Sequence, residues 1–170
     1  MSPSSISISK LRADVDGRVI APEDDEYDQA RALFYGGMDR HPAAIVRVKD
    51  DMDVVRVVAL ARESGLQLAV RSGGHSIPGH SVSEGGIVID LADMRALEID
   101  VEARTAWAQT GLTALGFTTA AAEHGLGVGF GDTGSVGIGG ITLGGGVGYL
   151  VRKYGLTIDD LLAAEVVTAD

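Results

Sequence analysis

The pattern of apolar and polar positions predicts a helix near the start of the chain. An acidic cluster follows Pro22, and negative side chains stabilise the positive end of a helix dipole. We therefore expect a helix from about 24 to 36 that ends at Gly36 and Gly37. The polar segment 1–22 is predicted to be a loose lead-in.

A strand, a helix and a second strand are predicted next. The β-branched run at 45–48 indicates a strand. From 50 to 65, apolar residues recur at helical spacing and Gly65 is a typical residue to follow a helix. Residues 66–70 are predicted to form the second strand. A βαβ unit of this length predicts a parallel pair with a right-handed crossover.

Further along, the pattern predicts a buried strand, a hairpin and another helix. Residues 86–91 are mostly apolar and are interpreted as a buried strand. Segments 97–100 and 105–108 are predicted to pair as a hairpin, and the alanine-rich segment 113–124 to form a helix. The composition then changes, because 13 of the 24 glycines lie between residues 125 and 155.

The first candidate site is the hexapeptide that follows the strand at 66–70. Its residues are Arg71, Ser72, Gly73, Gly74, His75 and Ser76. Paired glycines let the backbone adopt positive φ and turn N–H groups towards one point, so that a loop binds phosphate without lysines. The carboxyl end of a strand is also where ligands bind in open α/β sheets. The hexapeptide predicts a nucleotide site beside an imidazole able to bond to the ligand; the alternative is an ordinary turn.

The second candidate site is the glycine-rich segment 134–150. A flexible linker combines glycine with serine, whereas this segment carries valine, isoleucine, leucine and tyrosine throughout. We interpret it as a segment that another backbone or a flat ligand approaches closely. The G-x-G-x-x-G pattern at 129–134 leaves a nicotinamide-binding Rossmann unit as an alternative. The context disfavours this alternative. The pattern does not follow a strand at the start of a βαβ unit, and the glycines after the pattern disfavour the helix that should begin there.

Composition and charge narrow the classes of function. The chain has 170 residues, of which 45% are hydrophobic, as expected of one folded domain. Its formal net charge of -10 argues against nucleic-acid binding, which depends on lysine and arginine. The absence of cysteine excludes disulfides, cysteine nucleophiles and iron–sulfur clusters. No apolar leader and no membrane span are visible, so we expect a cytoplasmic protein.

Three short sequences strengthen the interpretation of the two glycine clusters. They are KYGL at 153–156, DDL at 159–161 and EVVTAD at 165–170. Together and in this order, the clusters and these sequences resemble the FAD-binding domain of the vanillyl-alcohol oxidase superfamily. The resemblance is specifically to the bacterial oxidases related to berberine bridge enzyme and 6-hydroxynicotine oxidase, and it extends from about His41 to Asp170.

The resemblance implies an α+β fold of the PCMH type, with FAD between two subdomains. A lead-in and helix would occupy residues 1–40, and the FAD-binding domain residues 41–170. Within that domain, a small βαβ-containing subdomain is expected at about 41–98. A mainly antiparallel subdomain with flanking helices is expected at 99–170.

The resemblance also implies which residues bind FAD. In the family, the loop matching 71–76 wraps the pyrophosphate, and the histidine matching His75 bonds to the 8α carbon of the flavin. Many relatives have a second link, through a cysteine, at the position of Thr133, so only the histidyl link is expected here. The residues expected to bind FAD are Arg71, Ser72, Gly73, Gly74, His75, Ser76, Gly79, Ser81, Thr133, Gly134, Ser135, Val136, Gly139, Gly140, Thr142, Gly145 and Val167.

The activity implied is FAD-dependent oxidation of a small-molecule alcohol or amine by hydride transfer to the flavin, with molecular oxygen as acceptor. No metal, nucleic acid or membrane is expected to take part. The family's substrate domain and catalytic base lie beyond the position of Asp170, so the resemblance assigns no catalytic residue. We therefore expect a fragment of a longer enzyme or a second chain that completes it. The alternative of a different class is a chain that binds FAD without catalysis.

Overall fold

A mixed four-stranded sheet lies at the centre of the computed structural model, which describes residues 6–169. Its strands are β1 (Arg18–Ile20), β2 (Ala44–Arg47), β3 (Leu68–Arg71) and β4 (Ile87–Asp90), in the spatial order β1-β2-β4-β3. β2, β4 and β3 are parallel, whereas β1 is antiparallel to β2. All four residues of β4 are buried, as expected of a central parallel strand covered on both faces. With the helices around the sheet, this is the α+β fold that the sequence predicts.

Six helices accompany the sheet within the described residues. They are α1 (Ile8–Asp14), α2 (Tyr27–Arg31), α3 (Asp51–Ser64), α4 (Ala114–Glu123), α5 (Ile138–Leu143) and α6 (Val151–Tyr154), with a 3₁₀ turn at Thr157–Asp160. Asp50 caps α3 by accepting a hydrogen bond from the N–H of Asp53, and Gly65 follows it at φ 66°. None of these helices is both long and apolar enough to cross a lipid bilayer.

The predicted hairpin and the predicted strands are present. β5 (Leu97–Asp100) and β6 (Thr105–Ala108) pair antiparallel as the only members of a second sheet among the described residues. The direct pairing expected of the βαβ unit is wrong. β2 and β3 are parallel, but β4 lies between them and pairs with both, because its apolar residues are buried on both faces at the centre of the sheet.

The N-terminal segment is more regular than predicted. α1 and β1 lie within the expected loose lead-in, where Leu11 and Val19 contribute to the core. The helix expected at 24–36 is limited to Tyr27–Arg31. It ends early because Ala32 is extended, with ψ 143°, and the N–H of Phe34 donates to the carbonyl of Gly74 instead of to a helical partner.

Alternate residues of the central strands face opposite sides of the sheet. On one side, Val46 and Ile89 pack against Val57 of α3. On the other side, Ile45 and Val88 pack with residues of α2. A third and smaller cluster belongs to the glycine-rich part of the chain and contains Ala114, Phe130 and Ile138.

One carboxylate joins the carboxyl ends of the three parallel strands. Arg47, Asp90 and Arg71 are opposite one another in register. Asp90 Oδ2 lies 2.9 Å from Arg71 Nη2 and 3.2 Å from Arg47 Nε. Asp90 and Arg71 are both buried, and a buried charge needs such pairing. This ion triad fixes the point at which the loop after β3 leaves the sheet.

A second buried carboxylate, Asp53, ties the N-terminal segment to α3. It accepts hydrogen bonds from the N–H groups of Asp16, Gly17 and Lys49 at 2.8–3.1 Å, and from Arg56 Nη1 at 3.0 Å. Burial alone would raise the pKa of Asp53, but the hydrogen bonds from Asp16, Lys49, Gly17 and Arg56 outweigh burial and hold its pKa below the usual value. The native fold therefore favours the ionised carboxylate.

We expect Asp53→Asn to lower the free energy of unfolding at pH 7 by about 2–3 kcal/mol, because an amide replaces a charged acceptor and adds two donors. The pKa of Asp53 is depressed in the folded state, so its stabilising effect is complete above the unfolded pKa of about 3.9. The effect is lost as the pH falls through the lower folded pKa. Urea titrations of both proteins from pH 7 to pH 3 should show the difference shrinking on acidification.

The matched control is Asp25→Asn, at an exposed aspartate in the loop before α2. It should change the unfolding free energy by less than about 0.5 kcal/mol. An Asp53→Asn protein as stable as the wild type at pH 7 would contradict the assigned role of Asp53.

Candidate functional site

Two loops meet beyond the carboxyl end of β3, at Gly73 and Gly137. The first loop follows Arg71, and the second leads into α5. A Cβ added at Gly73 would overlap the main-chain nitrogen of Gly137, and a Cβ at Gly137 would overlap the nitrogen of Gly73 and the hydroxyl of Ser72. The Ser72 hydroxyl also donates to the carbonyl of Thr110. The two candidate sites of the sequence therefore form one junction, in which backbone lies directly against backbone.

His75 lies at this junction, between an aromatic ring and a hydroxyl. The Phe34 ring stacks on the imidazole with centroids 3.9 Å apart and an interplanar angle of 20°. Ser135 Oγ is 3.1 Å from His75 Nε2. Burial lowers the pKa of His75, and a backbone hydrogen bond with Ser135 only partly opposes this. The surroundings therefore favour the neutral imidazole, which has a lone pair on one ring nitrogen.

The first loop offers main-chain donors. No N–H of residues 73–77 donates to an acceptor within the described part of the chain. Gly74 has φ 71°, which a glycine adopts without the strain that a side chain would add. A run of N–H groups without protein partners, beginning at two glycines, is suited to bind an anionic group.

A buried hydroxyl in the same loop also lacks a partner. Ser81 is only 6% exposed, and its Oγ has no hydrogen-bond partner among residues 6–169. Such a group is costly unless a ligand or a water satisfies it. Its loop neighbours have protein contacts: Ser76 Oγ accepts from the N–H of His80 at 3.0 Å, and Gly79 has φ 74° and faces Met38. The free N–H groups and the Ser81 hydroxyl fit a phosphate-bearing cofactor.

The glycine-rich segment forms a short helix, contrary to the expectation that its glycines disfavour one. α5 is held because Ile138 and Ile141 pack into the third apolar cluster. This packing compensates for the low helix propensity of glycine. A Cβ at Gly140 would meet no atom within 4 Å, whereas one at Gly139 would contact Thr110. At Gly140 the protein itself leaves space beside the backbone.

The other residues predicted in this segment mostly stabilise it. The Gly134 and Val136 carbonyls accept from the N–H groups of Leu115 and Ala114. The hydroxyls make local bonds, from Thr133 to Asp132 at 3.0 Å and from Thr142 to the Ile138 carbonyl at 2.7 Å. Gly145 has φ 94° and binds the 3₁₀ turn through its carbonyl.

Two predicted residues have other surroundings. The guanidinium of Arg71 is paired with Asp90, so its part at the junction is to start the loop. Val167 lies in a segment without regular secondary structure, and no hydrogen bond of the described residues joins it to either glycine segment.

Sequence reasoning missed the residues that surround the first loop, Phe34 above all. Phe34 and Tyr35 are exposed although they are adjacent aromatic residues in a chain with only eight aromatics. That pair, immediately before two glycines, was the signal available in the sequence. Among the described residues, no group of three or more histidine or acidic side chains is arranged to hold a metal ion.

The chain is similar to known FAD-binding proteins. The family model described as FAD binding domain matches residues 42–170. The chain is 37% identical over 155 residues to (R)-6-hydroxynicotine oxidase of Paenarthrobacter nicotinovorans, covering 91% of this chain and 34% of that protein. It is 38% identical over 143 residues to berberine bridge enzyme-like 14 of Arabidopsis thaliana, covering 81% and 27%.

A solved structure gives the same result for the fold. BBE-like 1 of Physcomitrella patens superposes with a TM-score of 0.85 at 28% identity, over 91% of this chain and 34% of that one. The predicted resemblance and the PCMH-type fold are therefore confirmed. The chain spans between about a quarter and a third of the length of these relatives.

We expect Gly137→Ala to lower the free energy of unfolding by about 2–3 kcal/mol, because a methyl group there displaces the opposite backbone. Gly140→Ala is the matched substitution within the same segment. It should leave stability unchanged or raise it by up to about 1 kcal/mol, since the space is open and alanine favours the helix. Urea denaturation of the two variants without ligand measures both effects, and equal stabilities would contradict the described junction.

Proposed function

The chain belongs to the FAD-binding domain family, and from that premise we propose that the loops joined at Gly73 and Gly137 hold FAD, with His75 bonded to it. The observation that carries the proposal is the contact between these loops, which brings Ser135 to His75. A cofactor bound by both glycine segments needs them side by side. At Gly73 and Gly137 the two main chains lie against each other with no side chain between them, which supports a cofactor site shared by both segments.

The residues at the junction have the chemistry that FAD needs. Its pyrophosphate is negative, and the chain has a formal net charge of -10, so local donors have to bind the phosphates against the overall charge. The unpartnered N–H groups of residues 73–77 and the Ser81 hydroxyl supply such donors. The open backbone at Gly140 supplies a bare surface for the ribityl chain or the ring.

The neutral imidazole of His75 is suited to form the covalent link. In the net reaction an imidazole nitrogen bonds to the 8α carbon of FAD, and the imidazole N–H and one 8α C–H hydrogen are lost. Dioxygen takes up the two electrons and two protons as hydrogen peroxide. Thr133 has no thiol, so a second link of the cysteinyl kind is not available. The role of His75 is to hold and tune the flavin, and it is not assigned as an acid or a base.

The whole-protein activity that we propose is FAD-dependent oxidation of a small-molecule alcohol or amine with oxygen as acceptor. The relatives named above include an oxidase, and the bound flavin would supply the redox chemistry. The part of these 170 residues in that reaction is to bind FAD and fix its position. A chain that binds FAD without turnover is the second outcome of the tests below.

We expect the purified chain to retain yellow colour after acid precipitation, and His75→Ala to lose it while still binding dissociable FAD. The reason is that the main-chain donors and Ser81 remain in the variant. Intact-protein mass spectrometry measures the covalent adduct. His80→Ala is the matched control, since the exposed His80 lies in the same loop and contacts Ser76 only through its main chain. A covalent adduct in His75→Ala, or its absence in the wild type, would refute the link.

We expect Gly140→Val to weaken FAD binding at least tenfold while the circular dichroism spectrum stays that of the wild type. A Cβ at this position has no neighbour within 4 Å outside the backbone of its own helix, so we expect the added bulk to meet the ligand and not the protein. Both proteins carry His75→Ala as well, so that no covalent bond forms, and quenching of flavin fluorescence during titration gives the dissociation constant. An unchanged constant would show that FAD does not lie against Gly140.

A further inference from the structure

The segment 33–41 crosses the loop that contains His75 and is fixed to it at four points. The Phe34 N–H donates to the Gly74 carbonyl at 3.3 Å. Arg40 Nη1 donates to the carbonyls of Gly79 and Val82 at 2.7 and 2.9 Å. The His41 N–H donates to the Glu84 carboxylate at 2.9 Å. These bonds set the position of segment 33–41 against the loop independently of any ligand.

The Phe34 side chain is 57% exposed and does not belong to the apolar core. Its notable contact is the imidazole of His75, with centroids 3.9 Å apart and planes within 20° of each other. Tyr35 is equally exposed, at 57%, but meets the imidazole only edge-on with centroids 6.2 Å apart. Tyr35 also lies edge-on to the Phe34 ring, with centroids 5.1 Å apart. Phe34 therefore contacts the face of the imidazole, whereas Tyr35 meets both rings only by its edge.

Two contacts together define the orientation of the imidazole. A stacked ring restricts the tilt of the imidazole plane. The hydrogen bond between Ser135 Oγ and His75 Nε2 restricts rotation within that plane. The two contacts come from opposite parts of the sequence, segment 33–41 and the glycine-rich segment. Bond formation is fastest when the reacting atoms are already held at a productive angle.

We infer that Phe34 is a positioning residue for the flavin link: its stack on His75 holds the imidazole in the orientation from which it bonds to FAD. The inference rests on the proposed function, in which His75 carries the link. Phe34 acts through His75 and takes no part in binding the phosphates. Its removal should slow the formation of the covalent bond without weakening the prior binding of FAD.

The experiment uses chain produced by cell-free synthesis without flavin, mixes it with FAD in air and follows the covalent adduct by intact-protein mass spectrometry. The initial FAD dissociation constant and the urea midpoint are measured in parallel. We expect Phe34→Leu to slow adduct formation about three- to tenfold, the change that the energy of an aromatic pair supports. The dissociation constant should stay within twofold and the urea midpoint unchanged. Phe34→Tyr should restore the wild-type rate, because it restores the stacked ring.

Tyr35→Leu is the matched control, since it removes an adjacent and equally exposed ring that meets Phe34 only edge-on and leaves the stack on His75 in place. Its rate should equal that of the wild type. A wild-type rate in Phe34→Leu overturns the inference alone, as does a loss of FAD affinity or stability as large as the loss of rate. A wild-type chain that holds only dissociable FAD overturns the proposed link and the inference together.

Discussion

The carboxylate of Asp90 is the interaction on which the geometry of the site depends. It lies between two guanidinium groups at the ends of three parallel strands, and Asp90 and Arg71 are almost entirely buried. Without Asp90 the two arginines would face each other unpaired, and breaking a buried pair in this way costs about 3–5 kcal/mol. The ion pair with Asp90 holds the Arg71 side chain in the sheet. Arg71 therefore contributes to the glycine loop only through its main chain. The loop thus starts from a fixed point.

The glycine-rich segment combines anchoring side chains with bare backbone. Val136, Ile138 and Ile141 pack with Phe130 in the third cluster, whereas Gly137 lies against Gly73 and Gly140 borders open space. This division explains why apolar residues alternate with glycine instead of serine. The apolar members hold the segment in place, and the glycines keep one of its surfaces free of side chains. A buried junction and an accessible backbone are therefore built from the same few residues.

Much of the secondary structure could be predicted because its signals are local. The hairpin strands have the predicted bounds, and Gly65 ends α3 where expected. Strand order is not a local property, since it depends on which strand has both faces covered, and β4 displaced the expected pairing of β2 with β3. The early end of α2 was missed for a similar reason, because Phe34 bonds to Gly74, a residue forty positions away.

The candidate site was predictable in its parts and not in its assembly. Paired glycines beside a histidine indicated a nucleotide loop, apolar residues among the glycines of 134–150 indicated a close approach by backbone or a flat ligand, and the resemblance assigned both segments to FAD. The meeting of Ser135 with His75 joins positions sixty apart in the sequence and depends on the correct folding of the chain between them. Asp53 was hidden because a charged residue within an amphipathic helix pattern suggests a solvent-exposed position, whereas here it accepts four hydrogen bonds in the interior.

The contact between Gly73 and Gly137 has a consequence for how the sequence can change. A clash between two side chains is relieved when one of the two residues is replaced by a smaller one. Such a pair can therefore change through compensating mutations. A Cβ at either of these glycines meets main chain, and no substitution makes main chain smaller. Neither position can therefore rescue the other. Variation at the junction is confined to the residues that flank the two glycines.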